Sequence, residues 1–294
     1  MEHATEQLID QLKSIANPIR MRIVALCGQG ECSVSELTKV LSQSQPRVSQ
    51  HLKQLCAAGL LERFRDGHFV YYRVATRGDG AALRRRLLSL IPDTDPVFGK
   101  DSDKIRALRG ARTVTATDVT IHDRPLHRAL VALTVAEPLG DLVDVGCGQG
   151  RILKLLATRA RRAVGVDIDS DARRFARAEL LLAGLPNCSL RQGDMYSLPF
   201  ADNEFDTAIL DDVLSDAGRP TEAIAEAVRV LRSGGRLLIL LSLAAQDRPD
   251  LQTRLAGWCA ETGLRLAPAR AIPAREPAWL LAVASEPDAA TAAA

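Results

Sequence analysis

Two domains of different class are expected, a mainly α front third and an α/β doubly wound remainder. Three observations predict this division. Apolar residues recur at helical spacing through residues 1–92 and end in one hairpin signal; strands and helices alternate from about residue 141; and the charge divides the same way. The front carries 13 Lys+Arg against 8 Asp+Glu, the remainder 25 against 28. A basic front on a slightly acidic remainder suggests that only the front meets a polyanion. At 294 residues the chain has room for two cores, because domains usually run about 100–200 residues. The six cysteines form no C-x-x-C pair and no disulfide frame, which fits reduced thiols. No apolar run approaches the roughly 18–20 residues that span a bilayer. The longest, Leu237 to Ala245, is interrupted by Ser242 and reads as a buried strand. Met1 to Glu6 lack a basic and then apolar leader pattern, so a cytoplasmic location is expected and no membrane partner.

In the front domain, residues 1–92, Leu8, Leu12 and Ile15 mark a first helix that ends at Asn17-Pro18, where a second begins. Ile19, Ile23, Val24 and Leu26 form its inner face until Gly28-Gln29-Gly30. Ser33 and Glu36 make a capping box for a helix from Val34 to Leu41. After Ser42-Gln43-Ser44 a longer helix runs from Gln45 to about Ala58, closed by Gly59. Val48, Leu52 and Leu55 face inward there, whereas Gln45, Arg47, Ser49, Gln50, His51 and Lys53 face out. Helix, tight turn and a second helix crowded with donors is a helix-turn-helix pattern, suited to base edges and phosphates of duplex DNA. Asp66-Gly67 between alternating strands predicts a hairpin. It acts as a wing that offers Arg65, His68 and Tyr72 to DNA.

The segments Asn17 to Ile23, Ser44 to Leu55 and Ala58-Gly59-Leu60 resemble the ArsR family of winged-helix bacterial regulators, over about residues 6–92. That resemblance implies a homodimer built through the first helix and a helix from Ala81 to Ile91, where Leu83, Leu87 and Leu90 or Ile91 repeat. It also implies an inverted-repeat operator with half-sites ~34–36 Å apart. Metal-sensing members carry paired cysteines where this chain has Ser33 and Ser35, and residues 79–92 hold no histidine. No metal site is expected.

Residues 93–122 read as a connector, flexible over Gly99 to Asp103 and weakly helical from Lys104 to Arg112, with Thr113 to Thr120 extended or loop. A short amphipathic helix follows, marked by Leu126, Leu130, Val131 and Leu133. The rear domain occupies residues 123–285 and is expected to hold a parallel sheet with helices on both faces. Residues 286–294, polar and Ala-rich, should be a disordered tail.

The stretch Leu142 to Arg151 concentrates the rear domain's chemistry: an apolar strand runs into Gly146-Cys147-Gly148-Gln149-Gly150 and then a helix. Such a turn exposes backbone N–H groups with no Cβ to block a ligand. Asp167 closes a second strand, Ala163 to Val166, at the place where a carboxylate accepts hydrogen bonds from ribose hydroxyls. A glycine loop alone also suits nicotinamide and flavin sites. With Val166-Asp167-Ile168, Gln192-Gly193-Asp194-Met195, Pro199 to Asp206 and Val230 to Leu237, however, the domain resembles class I S-adenosylmethionine-dependent methyltransferases, which have a Rossmann-like fold. The resemblance implies S-adenosylmethionine or S-adenosylhomocysteine as cofactor. Asp144, with Gly146, Gly148 and Gly150, would hold its amino-acid half, and Cys147 would be a small residue that fits the loop. Asp167 would bind the ribose, Ile168 and Met195 would sandwich the adenine, Asp194 would accept its amino group, and Asp211 would lie near the sulfonium. Singly, Asp144 or Asp194 could cap a helix and Met195 could be core.

No catalytic residue is identified. Leu210 to Asp216 lack the Asn/Asp-Pro-Pro-aromatic stretch of enzymes acting on nucleobase amino groups, and Cys147, Cys188 and Cys259 do not match arsenite methyltransferases. Two readings follow. One is a DNA-binding repressor whose rear domain takes the adenosyl compound as effector. The other is a working methyltransferase on a small-molecule acceptor, with the front domain regulating its own operon.

Overall fold

The protein, seen in a computed structural model, is described at residues 2–66, 69–75, 81–90, 95–110, 124–243, 248–275 and 277–286. It comprises two units: Met1–Val114 with Arg177–Pro186, and Thr115–Ala176 with Asn187–Ala294.

The first unit opens with α1 (Glu2–Ile15) and α2 (Pro18–Gln29), separated by the Asn17 cap. The Asn17 side-chain oxygen accepts from the N–H groups of Ile19 and Arg20 at 3.0 and 3.2 Å. After β1 (Cys32–Ser33), helix α3 (Val34–Leu41) starts on the expected capping box. The Ser33 N–H donates to Glu36 at 2.8 Å and the Glu36 N–H to Ser33 Oγ at 3.3 Å. Ser42, in the left-handed region at φ 53, turns the chain into α4 (Gln45–Ala57). Gly59 then ends α4 at φ +67, with Leu60 N–H returning to Leu55 O at 3.0 Å.

Strands β2 (Leu61–Asp66) and β3 (Phe69–Val74) form the hairpin, and β1 pairs with β3 on the far side. Asp66 is paired with Phe69 inside the ladder rather than turning the chain as the Asp66-Gly67 signal predicts, and Gly67 lies outside the described residues. Helices α5 (Ala81–Ser89) and α6 (Pro96–Gly110) complete the unit. The flexible stretch expected at Gly99 to Asp103 is instead inside α6. Its polarity has a use: Asp101 is buried and takes two hydrogen bonds from Arg22 at 2.6 and 2.7 Å, while Ile105 is fully buried with Ile23, Leu37, Leu52 and Leu55.

In the second unit, α7 (Arg124–Ala136) precedes the sheet and buries Leu126 and Leu130. Strands β4 (Asp141–Val145), β5 (Arg162–Asp167), β6 (Cys188–Gln192), β7 (Phe205–Asp211) and β8 (Leu231–Ser242) are mutually parallel, in the order β8-β7-β4-β5-β6. Helices α8 (Arg151–Leu156), α9 (Ser170–Leu182), α10 (Pro220–Arg229) and α11 (Arg248–Glu261) intervene. The sheet is mixed rather than wholly parallel. Strand β11 (Trp279–Ser285) returns antiparallel to β8, and β9 (Arg265–Leu266) and β10 (Arg270–Ile272) pair antiparallel with β11. The helix α11 lies between β8 and β11, yet β11 runs back along β8 after the two short strands that pair with it, so the expected parallel sheet gains an antiparallel edge.

The buried face of this unit is continuous: Val143, Val145, Phe205, Leu210 and Ile239 share one cluster. Strand β4 lies between β5 and β7, where the winding of the chain reverses, so its C-terminal end opens at the crevice in which such sheets bind ligands. The tail expected at 286–294 lies, from residue 287 on, outside the described residues, as does Thr113 to Thr120.

Truncating Ile105 tests whether α6 belongs to the core of the first unit. Ile105→Ala is expected to lower unfolding stability by about 2–5 kcal/mol in denaturant titrations, where a linker residue would change it by less than about 0.5 kcal/mol.

Candidate cofactor site and nucleic-acid surface

The glycine spacing is explained by backbone conformation. Gly146, Gly148 and Gly150 take φ values of 74, 50 and 79°, which side-chain-bearing residues avoid. Gly146 has a second reason, since a Cβ there would stand 1.9 Å from Val213 Cγ1. A Cβ on Gly148 would meet nothing within 4 Å, so the middle of the loop faces open space. The N–H groups of Gly146 and Cys147 both donate to Val166 O, at 2.8 and 3.0 Å, tying the loop to β5. Cys147 is buried, and burial pushes its thiol well up from the ordinary range. It serves packing.

Asp167 is half-buried at the end of β5. Its two oxygens accept from the N–H groups of Gly148 at 2.7 Å and Asp169 at 2.8 Å, which orients the carboxylate and leaves lone pairs for hydroxyl donors. Arg173, almost wholly buried on α9, donates to the Asp167 carbonyl at 2.7 Å and fixes the strand end from behind. Ile168 is 70% exposed beside it, an apolar side chain with a free face. Across the β6 end, Asp194 is exposed and Met195 half-buried, and Asp194 Oδ1 accepts from Tyr196 N–H at 3.0 Å. Asp194 thus caps its own turn, the plain role open to it from sequence, and still keeps acceptor capacity.

Asp144 is the most constrained member. It is fully buried on β4, and neither carboxylate oxygen meets a hydrogen-bond donor at normal geometry. Burial pushes its pKa well up, the Asp211 and Asp167 carboxylates add to that, and Arg151 and the Leu153 backbone offset it in part. A buried acidic group without a donor is what a ligand ammonium would complete. The residues present therefore fit S-adenosylmethionine or S-adenosylhomocysteine: a cationic amino group for Asp144, hydroxyls for Asp167 and a flat apolar ring for Ile168 and Met195. When bound, the methyl donor supplies a carbon activated by positive sulfur.

Asp211, at the end of β7, is half-buried. Beyond it, sequence reasoning missed Asp212. That residue sits at φ 58 and its carboxylate accepts from Ser242 N–H at 2.7 Å, pinning the loop that carries Val213 against Gly146. Arg173 was also missed. Neither had a local signal, because one is an unremarked loop acid and the other a helix arginine. Among the described residues no cluster of His, Cys, Asp or Glu could hold a metal, and no helix is long and apolar enough to cross a membrane.

The first unit's α4 carries Gln45, Arg47, Ser49, Gln50 and Lys53 exposed along one side, opposite buried Val48, Leu52 and Leu55. His51 is half-buried; burial and the nearby Arg20 and Arg47 charges lower its pKa, favouring the neutral ring. Arg65 is exposed on β2, joined by Arg63, which the sequence reading passed over. Tyr72 does not join this surface. Its ring is buried in the core cluster formed with the helices, although it stands opposite Arg63 and shares a hydrogen bond with that side chain. His68 lies outside the described residues.

Residues 17–63 match the family model described as bacterial regulatory protein, arsR family, and residues 143–239 match the methyltransferase domain model. Among curated proteins, the chain is 38% identical over 107 residues to an uncharacterized 37.1 kDa protein in transposon TN4556 of Streptomyces fradiae, covering 35% of this chain and 30% of that protein. It is 34% identical over 167 residues to the ubiquinone/menaquinone biosynthesis C-methyltransferase UbiE of Dinoroseobacter shibae, covering 52% of this chain and 65% of the relative. The chain thus spans less than two thirds of either relative's length. The solved structure of the PH0226 protein from Pyrococcus horikoshii has a similar fold, at TM-score 0.50 and 19% identity, covering 60% of this chain and 94% of that one.

Replacing the buried acid separates its cost from its use. An ionisable group whose folded pKa is raised subtracts stability as pH rises past its unfolded value, since the unfolded chain releases the proton first. Asp144→Asn should therefore melt no lower than wild type at pH 7, yet bind S-adenosylhomocysteine about tenfold or more weakly by calorimetry, the loss of one charge-assisted contact. Equal affinity, or a marked loss of stability, would contradict this assignment.

Proposed function

Starting from a chain that joins an arsR-family helix-turn-helix to a methyltransferase domain, we propose that it is a cytoplasmic, homodimeric transcriptional repressor with S-adenosylmethionine or S-adenosylhomocysteine as its effector. The observation that carries this reading is the coexistence of an exposed donor face on α4 with a buried, donor-less Asp144 in an intact glycine-loop cradle. One suits a polyanion and the other a cationic nucleoside. Dimerisation is supported by apolar residues left bare on α1 and at the end of α5: Ile9 is 43%, Leu12 44% and Leu90 75% exposed. A two-fold dimer would read an inverted-repeat operator through α4, with Arg65 on phosphates.

A second reading has its own support. The likeness to a C-methyltransferase and the half-buried Asp211 beside the proposed sulfonium position favour methyl transfer to a small-molecule acceptor. The enzyme would then mainly align an acceptor carbon and exclude water.

Fluorescence anisotropy with the chain's own upstream DNA tests the first reading. Saturating S-adenosylmethionine or S-adenosylhomocysteine should shift operator affinity about 5- to 150-fold, the range of a coupling of ~1–3 kcal/mol. Affinity indifferent to both bound compounds would remove the effector role, and turnover of the methyl donor with an extracted acceptor would favour the second reading.

A further inference from the structure

S-adenosylmethionine and S-adenosylhomocysteine share an ammonium, the ribose hydroxyls and an adenine, and differ at sulfur, which is a sulfonium in the first and a neutral thioether in the second. Asp144, Asp167, Ile168 and Met195, in the roles proposed for them, meet only the shared parts. Discrimination between the two compounds therefore needs a group that faces the sulfur, and charge is the property it must read.

The strand register of the second unit supplies one. Val145 on β4 pairs with Val166 of β5 on one side and with Leu210 of β7 on the other, so Asp167 and Asp211, each one residue further on, flank Gly146 from both neighbouring strands. Alternation along the strands then puts the side chains of Asp144, Asp167 and Asp211 on one face of the sheet. The approach is close, since a Cβ on Gly146 would lie 3.5 Å from the Asp211 carbonyl. All three acids act on the loop: burial pushes the Cys147 thiol up, the charges of Asp144, Asp167 and Asp211 push it further, and Arg173 opposes them. After burial itself, the strongest influence on Asp144 is the charge of Asp211, ahead of Arg151 and Asp167.

The three acids are satisfied differently. Both oxygens of Asp167 accept backbone N–H groups, from Gly148 at 2.7 Å and Asp169 at 2.8 Å. Asp144 is fully buried, meets no donor at normal geometry and suits a ligand ammonium. Asp211 is half-buried, and its backbone is held in the sheet opposite Leu240, whose carbonyl also takes the next N–H, that of Asp212, at 3.0 Å. Its carboxylate thus starts from a fixed point beside the loop. Asp144 and Cys147 are 0% and 3% exposed, so solvent screens little of the field these groups make.

We infer that Asp211 makes this a site for the charged methyl donor in preference to its neutral product, by setting a fixed negative charge against the sulfonium. With all three acids ionised, Asp144, Asp167 and Asp211 against Arg151 and Arg173 leave one negative charge. S-adenosylmethionine carries one net positive charge and S-adenosylhomocysteine none, so only the donor brings these groups to neutrality. The inference rests on the proposed binding of an adenosyl compound and specifies which of the two the site selects.

Titration calorimetry of the full chain with each compound, and with the analogue in which an amine-bearing carbon replaces the sulfur, tests it. The analogue puts a positive charge at that point with no methyl to transfer. Wild type should bind S-adenosylmethionine about tenfold or more tighter than S-adenosylhomocysteine, with the analogue close to the donor. Asp211→Asn should bring donor and product within about twofold of each other by weakening the donor, while product affinity stays within about threefold of wild type. Product binding in the same variant reports an intact site, and Asp211→Glu, which keeps the charge, should keep a preference for the donor. Should Asp211→Asn lose both compounds, the analogue decides in wild type: ranking with the donor supports the inference and ranking with the product overturns it. A product bound as tightly as the donor by wild type, or a preference untouched in Asp211→Asn, would also overturn it and leave the effector reading standing. Binding of neither compound to wild type would defeat both.

Discussion

An acid enclosed on the central strand, with no donor at normal hydrogen-bond geometry and only partial relief from Arg151 and the Leu153 backbone, is the constraint that organises the second unit. Asp144 sits between Val143 and Val145, both buried, so its side chain cannot turn to solvent without dismantling β4. The surrounding features converge on that point. Three left-handed glycines bring the loop back over β5, Val213 closes against Gly146, and Asp211 and Asp167 add negative field rather than relief. A fold gains nothing in stability from such an arrangement. On the proposed reading its rationale lies in a cationic ligand, which turns an unfavourable site into a selective one.

The first unit shows the opposite treatment of buried charge. Glu36 is buried as well, and burial alone would push its pKa up, yet Arg109 and the Ser33 donors hold it below the usual carboxylate range. Every acid of this cluster is matched: Glu36 by Arg109, Glu31 by Arg177 and Arg73, and Asp66 by Arg177. Charges satisfied within the protein give geometric definition and little net stability. In the proposed reading one unit therefore reserves its buried charge for a ligand, and the other uses it to position the helix-turn-helix and hairpin.

What could be read from the sequence was whatever is encoded locally. The Ser33–Glu36 capping box, the Asn17 cap, the donor face of α4 and the alternating glycines each follow from residues within a few positions of one another. Pairings made across long stretches of chain left no such trace. Asp66 looks like a turn residue beside Gly67, but its carboxylate is spent on Arg177, more than a hundred residues away. Asp101 looks like linker until Arg22 is placed beside it, and Ile105 is one apolar residue in a polar stretch. Tyr72 alternates correctly for a strand, yet which face is covered depends on the helices that pack there. Likewise the antiparallel return of β11 is a matter of sheet-edge geometry that β-α alternation cannot signal.

The account turns on Asp144 exchanging a proton for a ligand cation. Burial holds the proton on this carboxyl to well above the usual range, and a bound ammonium must lower that pKa, so binding should expel the proton. Titration calorimetry of S-adenosylhomocysteine at a series of pH values, repeated in buffers of different ionisation enthalpy, measures this directly. The predicted result is binding accompanied by a net proton release that grows toward acid pH and vanishes in Asp144→Asn. Binding with no release at any pH of the series, or no binding at all, would contradict it.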